Sequence, residues 1–260
     1  MSDTRAAIAD NLSAVFPHES AGDLRRRART TLRTYARDVI DFMRTLSAPR
    51  SALESVFELR PDESKIFYDL VAQKRGIVLV SGHYGNWEAG GVFLRRVIDL
   101  PLTIMMKTEA DPEVNRQRRE IRDLLGMESI EIGKSFDTAL QIRRRLADNQ
   151  IVAFLMDRHI GRDRVEVDFL GRKAAFLKTP ALMAFMTGAP LMPSFIERTG
   201  PERFRVRVGT PIVVRRDRPR EDAIAEASQA FADQLSESVR ARPELWYHFY
   251  RYWDAQREDS

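Results

Sequence analysis

Ile77-Val78-Leu79-Val80-Ser81-Gly82-His83-Tyr84-Gly85-Asn86-Trp87-Glu88 is the stretch that decides the fold. Ile77 to Val80 is a continuous apolar run rich in β-branched residues, the pattern of a strand buried on both faces. Gly82 and Gly85 permit a tight path out of it, and Asn86 is a good helix N-cap. Gly85 to Arg96, with Trp87, Val92, Phe93 and Leu94, then reads as a helix. The unit is strand, short loop and helix, with a histidine at the carboxyl end of the strand, where open α/β sheets place ligands.

The same alternation continues outward. Leu102 to Met106 reads as strand, Glu113 to Leu125 and Ser135 to Asp148 as helices, and Ile151 to Met156 as strand. Pro180 to Thr187 reads as helix and Leu191 to Ile196 as a buried strand. Phe204 to Val208 alternates apolar and charged residues as a half-exposed strand, and Ala223 to Val239 is an amphipathic helix. The prediction is an α/β fold with a mixed, mostly parallel sheet flanked by helices. Residues 51–260 form one domain and residues 1–50 an N-terminal helical arm.

Composition narrows the chemistry. The 260 residues are 43% hydrophobic and 31% charged with no cysteine, which excludes disorder, a disulfide scaffold, thiolate nucleophiles and thiolate metal sites. The net charge of +4 is concentrated at the start, where residues 1–50 hold nine arginines against six acidic residues. There, Leu24, Ala28, Leu32, Tyr35, Val39, Met43 and Leu46 recur at helical spacing, with Arg25, Arg26, Arg27, Arg29, Arg33 and Arg37 between them. Such a helix suits an anionic membrane surface. The plainer reading of these residues is a helix packed on the core with a solvated outer face, and Asp23, Asp38 and Asp41 dilute its basic side. No signal-peptide pattern opens the chain, and no nucleic-acid motif is present. The charge-free run from Thr179 to Ile196 is divided by Pro180, Gly188, Pro190 and Pro193, so no membrane span is expected. Trp246, Tyr247, Phe249, Tyr250, Tyr252 and Trp253 suit either an interfacial belt or a segment docked on the core.

Of the four histidines, only His83 stands where α/β proteins place chemistry. Glu88, five residues on, falls in the first helical turn and is close enough in a folded-back loop to touch the imidazole. A carboxylate on one ring nitrogen fixes the tautomer and leaves the other nitrogen to take a proton from a hydroxyl. A plain loop histidine beside a capping glutamate fits the spacing equally well. Ser81 lacks a nucleophile elbow and no H-E-x-x-H helix is present.

Ser81 to Glu88 resembles the H-x4-(D/E) block of the lysophospholipid acyltransferase superfamily, in the version typical of the lipid A biosynthesis (lauroyl/myristoyl) and phosphatidylinositol mannoside acyltransferases. Further similar blocks are Arg122-Asp-Leu-Leu-Gly126, Phe154-Leu-Met-Asp157-Arg158, Val165 to Gly171, Thr187 to Pro193 and Arg242 to Trp246. The resemblance covers roughly residues 75 to 250 and implies a glycerol-3-phosphate acyltransferase-like fold. It implies transfer of a fatty acyl group from an acyl-carrier-protein or coenzyme A thioester to a hydroxyl of a glycolipid or related lipid. His83 is then the general base and Glu88 its orienting carboxylate. Asn86, Trp87, Arg122, Asp157, Arg158 and Glu166 become substrate-contacting positions. No metal or resident cofactor is implied, and a set of Asp157, His159 and Asp163 is a weaker metal reading. The lipid A enzymes carry an N-terminal hydrophobic anchor that this chain does not resemble. Peripheral contact with the cytoplasmic side of the inner membrane is therefore expected, through the arginine-rich helix. That difference leaves room for a mannolipid, an aminolipid or a specialised-metabolite acceptor in place of lipid A. The competing classes are a non-catalytic lipid- or carrier-binding protein and a thioesterase of the same fold.

Overall fold

The computed structural model describes residues 2–107, 111–132 and 136–258. In chain order the elements are α1 (Ser2–Leu12), α2 (Ala21–Ser47), α3 (Arg50–Val56), β1 (Phe57–Leu59), α4 (Pro61–Ala72), β2 (Ile77–Ser81), α5 (Trp87–Val92), β3 (Leu102–Met106) and α6 (Pro112–Leu124). They continue with β4 (Glu128–Glu131), α7 (Phe136–Ala147), β5 (Ile151–Leu155), β6 (Val165–Phe169), β7 (Arg172–Phe176), α8 (Thr179–Thr187), β8 (Leu191–Gly200), β9 (Arg203–Val208), α9 (Arg220–Ala241) and α10 (Tyr252–Glu258).

Seven strands form one sheet in the order β1-β9-β8-β2-β5-β3-β4, parallel throughout except for the antiparallel β8–β9 pair. β6 and β7 make a separate antiparallel hairpin. The expected mixed, mostly parallel sheet with flanking helices is what the chain forms. The predicted helix from Gly85 to Arg96 is two pieces, α5 and a π-helical turn over Phe93–Val97, in which the Ile98 N–H donates to the Phe93 carbonyl at 3.0 Å. The predicted start of a helix at Ser135 lies outside the described residues.

Successive residues of a strand face opposite sides of the sheet, and β2 shows the result directly. Val78 and Val80 join a large core cluster with Phe154, Phe195, Phe231 and Leu235, whereas Ile77 and Leu79 join a second cluster with Phe67, Phe93, Met192 and Val206. In α8, Pro180 sits in the first turn and Gly188 closes the helix in the left-handed conformation, with Asp163 accepting from the Thr179 N–H and hydroxyl. This is the helix, turn and strand order expected from the prolines.

α2 departs from its expected stripe. Ala28, Thr31, Asp38, Asp41, Phe42 and Thr45 are buried, while Val39 and Met43 face out beside Ile40. The exposure of Val39 and Met43 has a specific cause. Arg198 of β8 reaches Asp38 and Asp41 at 2.6 Å each, Tyr247 donates its hydroxyl to Asp38 at 2.6 Å, and Asn86 donates to the Asp38 carbonyl at 2.9 Å. Charged partners on the core side therefore override apolar spacing. Burial pushes the Asp38 carboxyl up, against the Tyr247 and Arg198 contacts that pull it down.

Candidate active site

The site stands at the carboxyl ends of β2 and β5, neighbouring parallel strands in which Ser81 pairs with Leu155. His83 and Asp157 lie two residues beyond those partners and emerge side by side. His83 Nδ1 lies 2.7 Å from Asp157 Oδ1, and the His83 backbone N–H donates to Asp157 Oδ2 at 2.9 Å. Gly82 makes this approach feasible, since a Cβ there would stand 2.9 Å from the Leu235 side chain and 3.1 Å from Asp157 Oδ2. Gly85 has φ +63°, and a Cβ there would collide with the Ile196 carbonyl. The loop is pinned by the Tyr247 N–H on the His83 carbonyl at 2.7 Å and the Gly85 N–H on the Leu245 carbonyl at 2.8 Å.

Asp157 is fully buried, and His83 is 16% exposed, toward a cavity of about 630 Å³. Burial alone would raise the Asp157 carboxyl, but His83 and His248 hold it well below the usual carboxylate range. Burial lowers the His83 imidazole, against the pull of Asp157, so the ring is neutral at pH 7. Its Nδ1–H is spent on Asp157, which leaves Nε2 as a lone-pair acceptor.

The cavity changes character along its length. Near His83 it is lined by Glu88, Trp87, Arg122, Arg158, Tyr247 and Tyr250. Its apolar walls are Leu59, Phe67, Leu79, Leu102, Val206 and Val208, which pack in one cluster on a face of the sheet. Trp87 packs its ring 5.3 Å from the His83 ring. Arg122 on α6 is buried, with Nη1 3.2 Å from Met106 Sδ and Nε without a hydrogen-bond partner among the described residues. Burial lowers its pKa, and Glu88 counteracts this from α5. A buried guanidinium whose protein neighbours leave a donor unused is suited to an anionic or carbonyl ligand group.

Several expected placements are corrected by this geometry. The carboxylate bonded to His83 is Asp157 and not Glu88. Glu88 faces the cavity from the first turn of α5, where the helix direction carries it away from Nδ1, and acts on His83 through its charge. Asp157 lies behind His83 and is sealed from the cavity, so it contacts no substrate. Asn86 caps α5 through the Ala89 N–H at 3.2 Å and ties it to α2, with no place in the cavity wall. Glu166 points to solvent from β6, where it faces Lys173 at 3.7 Å. Arg158 lines the cavity and lies over the Tyr250 ring at 4.9 Å. His159 bonds the Gly161 carbonyl at 3.1 Å, and Asp163 is committed to α8, so neither joins Asp157 in a metal set.

Among the described residues, His83, Asp157 and His248 are the group close enough together to hold a cation. Their donor atoms already meet one another in N–H···O contacts, the geometry of a hydrogen-bonded relay. His248 is the residue that sequence reading missed. It lies 2.9 Å from Asp157 Oδ2 through a chain reversal that spacing does not report. Most of the C-terminal aromatic group is docked on the core, with Trp246, Tyr247, Tyr252 and Trp253 buried.

The site is thus a histidine whose ring meets a buried aspartate, in the wall of a largely apolar cavity. The sequence profile of the bacterial lipid A biosynthesis acyltransferases matches residues 1–255, and the chain belongs to that family. The chain is similar to the phosphatidylinositol mannoside acyltransferase of Mycolicibacterium smegmatis, with 28% identity over 187 residues, covering 72% of this chain and 59% of the relative. It is also similar to the phosphatidylinositol mannoside acyltransferase of Mycobacterium tuberculosis, with 29% identity over 189 residues, 71% of this chain and 57% of the relative. The aligned part thus spans less than two thirds of these relatives.

Proposed function

We propose that this protein transfers a fatty acyl group from a coenzyme A or acyl-carrier-protein thioester to a hydroxyl of a lipid acceptor, at a membrane surface. The observation that carries the reading is the His83 ring, anchored by a buried carboxylate and facing a cavity lined by arginines and by apolar side chains. His83 Nε2 takes the proton of the acceptor hydroxyl as its oxygen attacks the thioester carbonyl. The tetrahedral intermediate collapses, the C–S bond breaks, and the imidazolium returns the proton to the leaving thiol. Asp157 stabilises the imidazolium, and Glu88 adds negative charge on the cavity side. Arg122 and Arg158 suit the oxyanion or a phosphate of either substrate. The acyl chain occupies the apolar interior between Phe67 and Val206.

No described helix is long and apolar enough to cross a membrane. The outer face of α2 supports peripheral contact instead. Arg25, Arg29 and Arg33 run into Val39, Ile40 and Met43 on one exposed side, and Tyr35 of the same helix lines the cavity. Resting on lipid, this face would present the acceptor beside the cavity mouth.

The test uses labelled palmitoyl-CoA or palmitoyl-acyl-carrier protein with a bacterial lipid extract. His83→Ala is expected to lower transfer by about 10²–10⁴-fold with the fold intact. Transfer at the wild-type rate would overturn the mechanism. Acyl release at equal rates with and without lipid would identify a thioesterase, and tight binding without turnover a carrier protein.

A further inference from the structure

Asp157 serves a second imidazole from its other oxygen. His248 is wholly buried, and its Nε2 lies 2.9 Å from Asp157 Oδ2, the oxygen that also receives the His83 backbone N–H. On the far side of the ring, Arg158 Nε approaches His248 Nδ1 at 3.4 Å. A guanidinium has only donors, so Nδ1 must be the acceptor and the ring proton must lie on Nε2, aimed at the carboxylate. The ring is packed against Tyr252 at 4.5 Å and Trp246 at 4.9 Å. Asn11 of α1 holds the segment, donating to the carbonyls of His248 at 3.1 Å and Tyr250 at 2.8 Å and accepting from the Tyr252 N–H at 2.8 Å. Tyr252 donates its hydroxyl to the Asp157 carbonyl at 2.7 Å.

We propose that His248 is a positioning residue for acyl transfer: its Nε2–H sets the Asp157 carboxylate in the orientation that receives His83 Nδ1–H, and its Nδ1 links that carboxylate to Arg158 at the cavity mouth. The assignment rests on the reading of His83 as the base. Packing alone does not explain an imidazole here. A phenyl ring would fill the same aromatic nest without placing a polar edge on a buried anion, and both ring nitrogens of His248 are engaged. Burial and Arg158 hold His248 neutral, with its pKa pushed down to about 3. It therefore works as a fixed donor and not as a second base.

The consequence for His83 follows from charge. The groups acting on it are Asp157 and Arg158 from the loop after β5, Glu88 from α5 and His248 from the C-terminal segment. With the His248 donor removed, negative charge on Asp157 is less neutralised. The imidazolium of His83 is then favoured, and protonation disables the base at higher pH.

The experiment compares the 260-residue chain with His248→Gln, which keeps a donor at the reach of Nε2, and His248→Phe, which keeps the ring packing and removes the donor. Long-range ¹H–¹⁵N correlation of the histidine rings reports tautomers and titration without turnover. Thiol release from palmitoyl-CoA in the presence of a lipid extract reports activity, and the chain has no cysteine to react with the thiol reagent. The expected result is a His248 proton on Nε2 and a His83 titration that moves up by roughly one pH unit in His248→Phe, with the acid limb of the kcat profile moving alongside. His248→Phe lowers kcat about 10- to 100-fold with KM little changed, and His248→Gln recovers it to within about fivefold of wild type. The proposal is overturned by a His248 proton on Nδ1, or by equal losses in both variants with His83 titrating where it does in wild type. If wild type turns over no thioester yet the rings behave as expected, the transfer reading fails and the positioning of Asp157 by His248 stands.

Discussion

The two faces of the central sheet are built from the same strands, yet one is solid and the other hollow. Val78, Val80 and Phe195 on the solid face meet Phe231 and Leu235 of α9, with the rings of Phe195 and Phe231 stacked at 6.4 Å. On the opposite face Leu79, Ala153, Met192 and Val206 line the cavity, and the helix above them carries Gly90 and Gly91. The difference lies in the covering helix. α9 offers large apolar side chains over 22 residues, whereas α5 is six residues long and passes into a π-helical turn. Space left unfilled forfeits dispersion contacts, so the solid face and the buried polar clasp on α2 must hold a sheet whose other side is kept open.

The largest expected effect strikes the seam between the faces, where β2 and β5 end. Asp157→Asn removes the anion behind His83 and lets the amide present either donor or acceptor to Nδ1. Turnover of palmitoyl-CoA with lipid acceptor is expected to fall about 10²–10⁴-fold, with far-ultraviolet circular dichroism unchanged. On the solid face, Phe231→Ala is expected to cost about 3–5 kcal/mol in denaturant unfolding while activity per folded molecule persists. A loss below about 1 kcal/mol would show that this face is less tightly packed than described.

Filling the hollow face should do the reverse. Val206→Phe, on the apolar wall of the cavity, is expected to lower the ratio of kcat/KM for palmitoyl over octanoyl donors by about 10–200-fold while leaving stability within about 2 kcal/mol. An unchanged ratio would place the acyl chain elsewhere.

Acid should weaken the seam before either face. His248 is pushed down to about 3 from an ordinary 6.5, so the unfolded state binds its proton first as pH falls. Stability is therefore expected to drop by about 1.4 kcal/mol per pH unit for each such proton, beginning below the unfolded value and continuing toward the folded one. Asp157, depressed in the fold, adds a further loss below the ordinary carboxylate value of 3.8. Unfolding of His248→Phe followed from pH 7 to about pH 4 should show a flatter slope by one proton. The smallest effect belongs to the outer face of α2. Each of Arg29→Ala and Arg33→Ala should weaken binding to phosphatidylserine-containing vesicles by about 1 kcal/mol, read by pelleting at fixed salt.

How much of this was legible depends on how far each contact reaches along the chain. The strand at Ile77, the loop glycines, the Asn86 cap and the helix after it are local, and periodicity with turn chemistry places all of them. His83 was legible for the same reason. Its partner was misread, because five residues separate Glu88 from His83 in sequence and 74 separate Asp157 from it, and only the β2–β5 register brings the latter close. The apolar spacing of α2 left both a membrane face and a core face open, and it carries no record of Arg198 beneath Asp38 and Asp41, with Val39 and Met43 on the outer side.

By itself the sequence determined the alternating α/β architecture, the place of His83 at the end of a buried strand and the family resemblance, since these are written in runs of neighbouring residues. Only the tertiary structure decided which carboxylate serves His83, that His248 serves the same carboxylate, and which side of α2 faces out. Hydrogen bonds and ion pairs act within about 3 Å and are indifferent to distance along the chain. Their partners become visible only when the sheet register and the docked C-terminal segment bring them together.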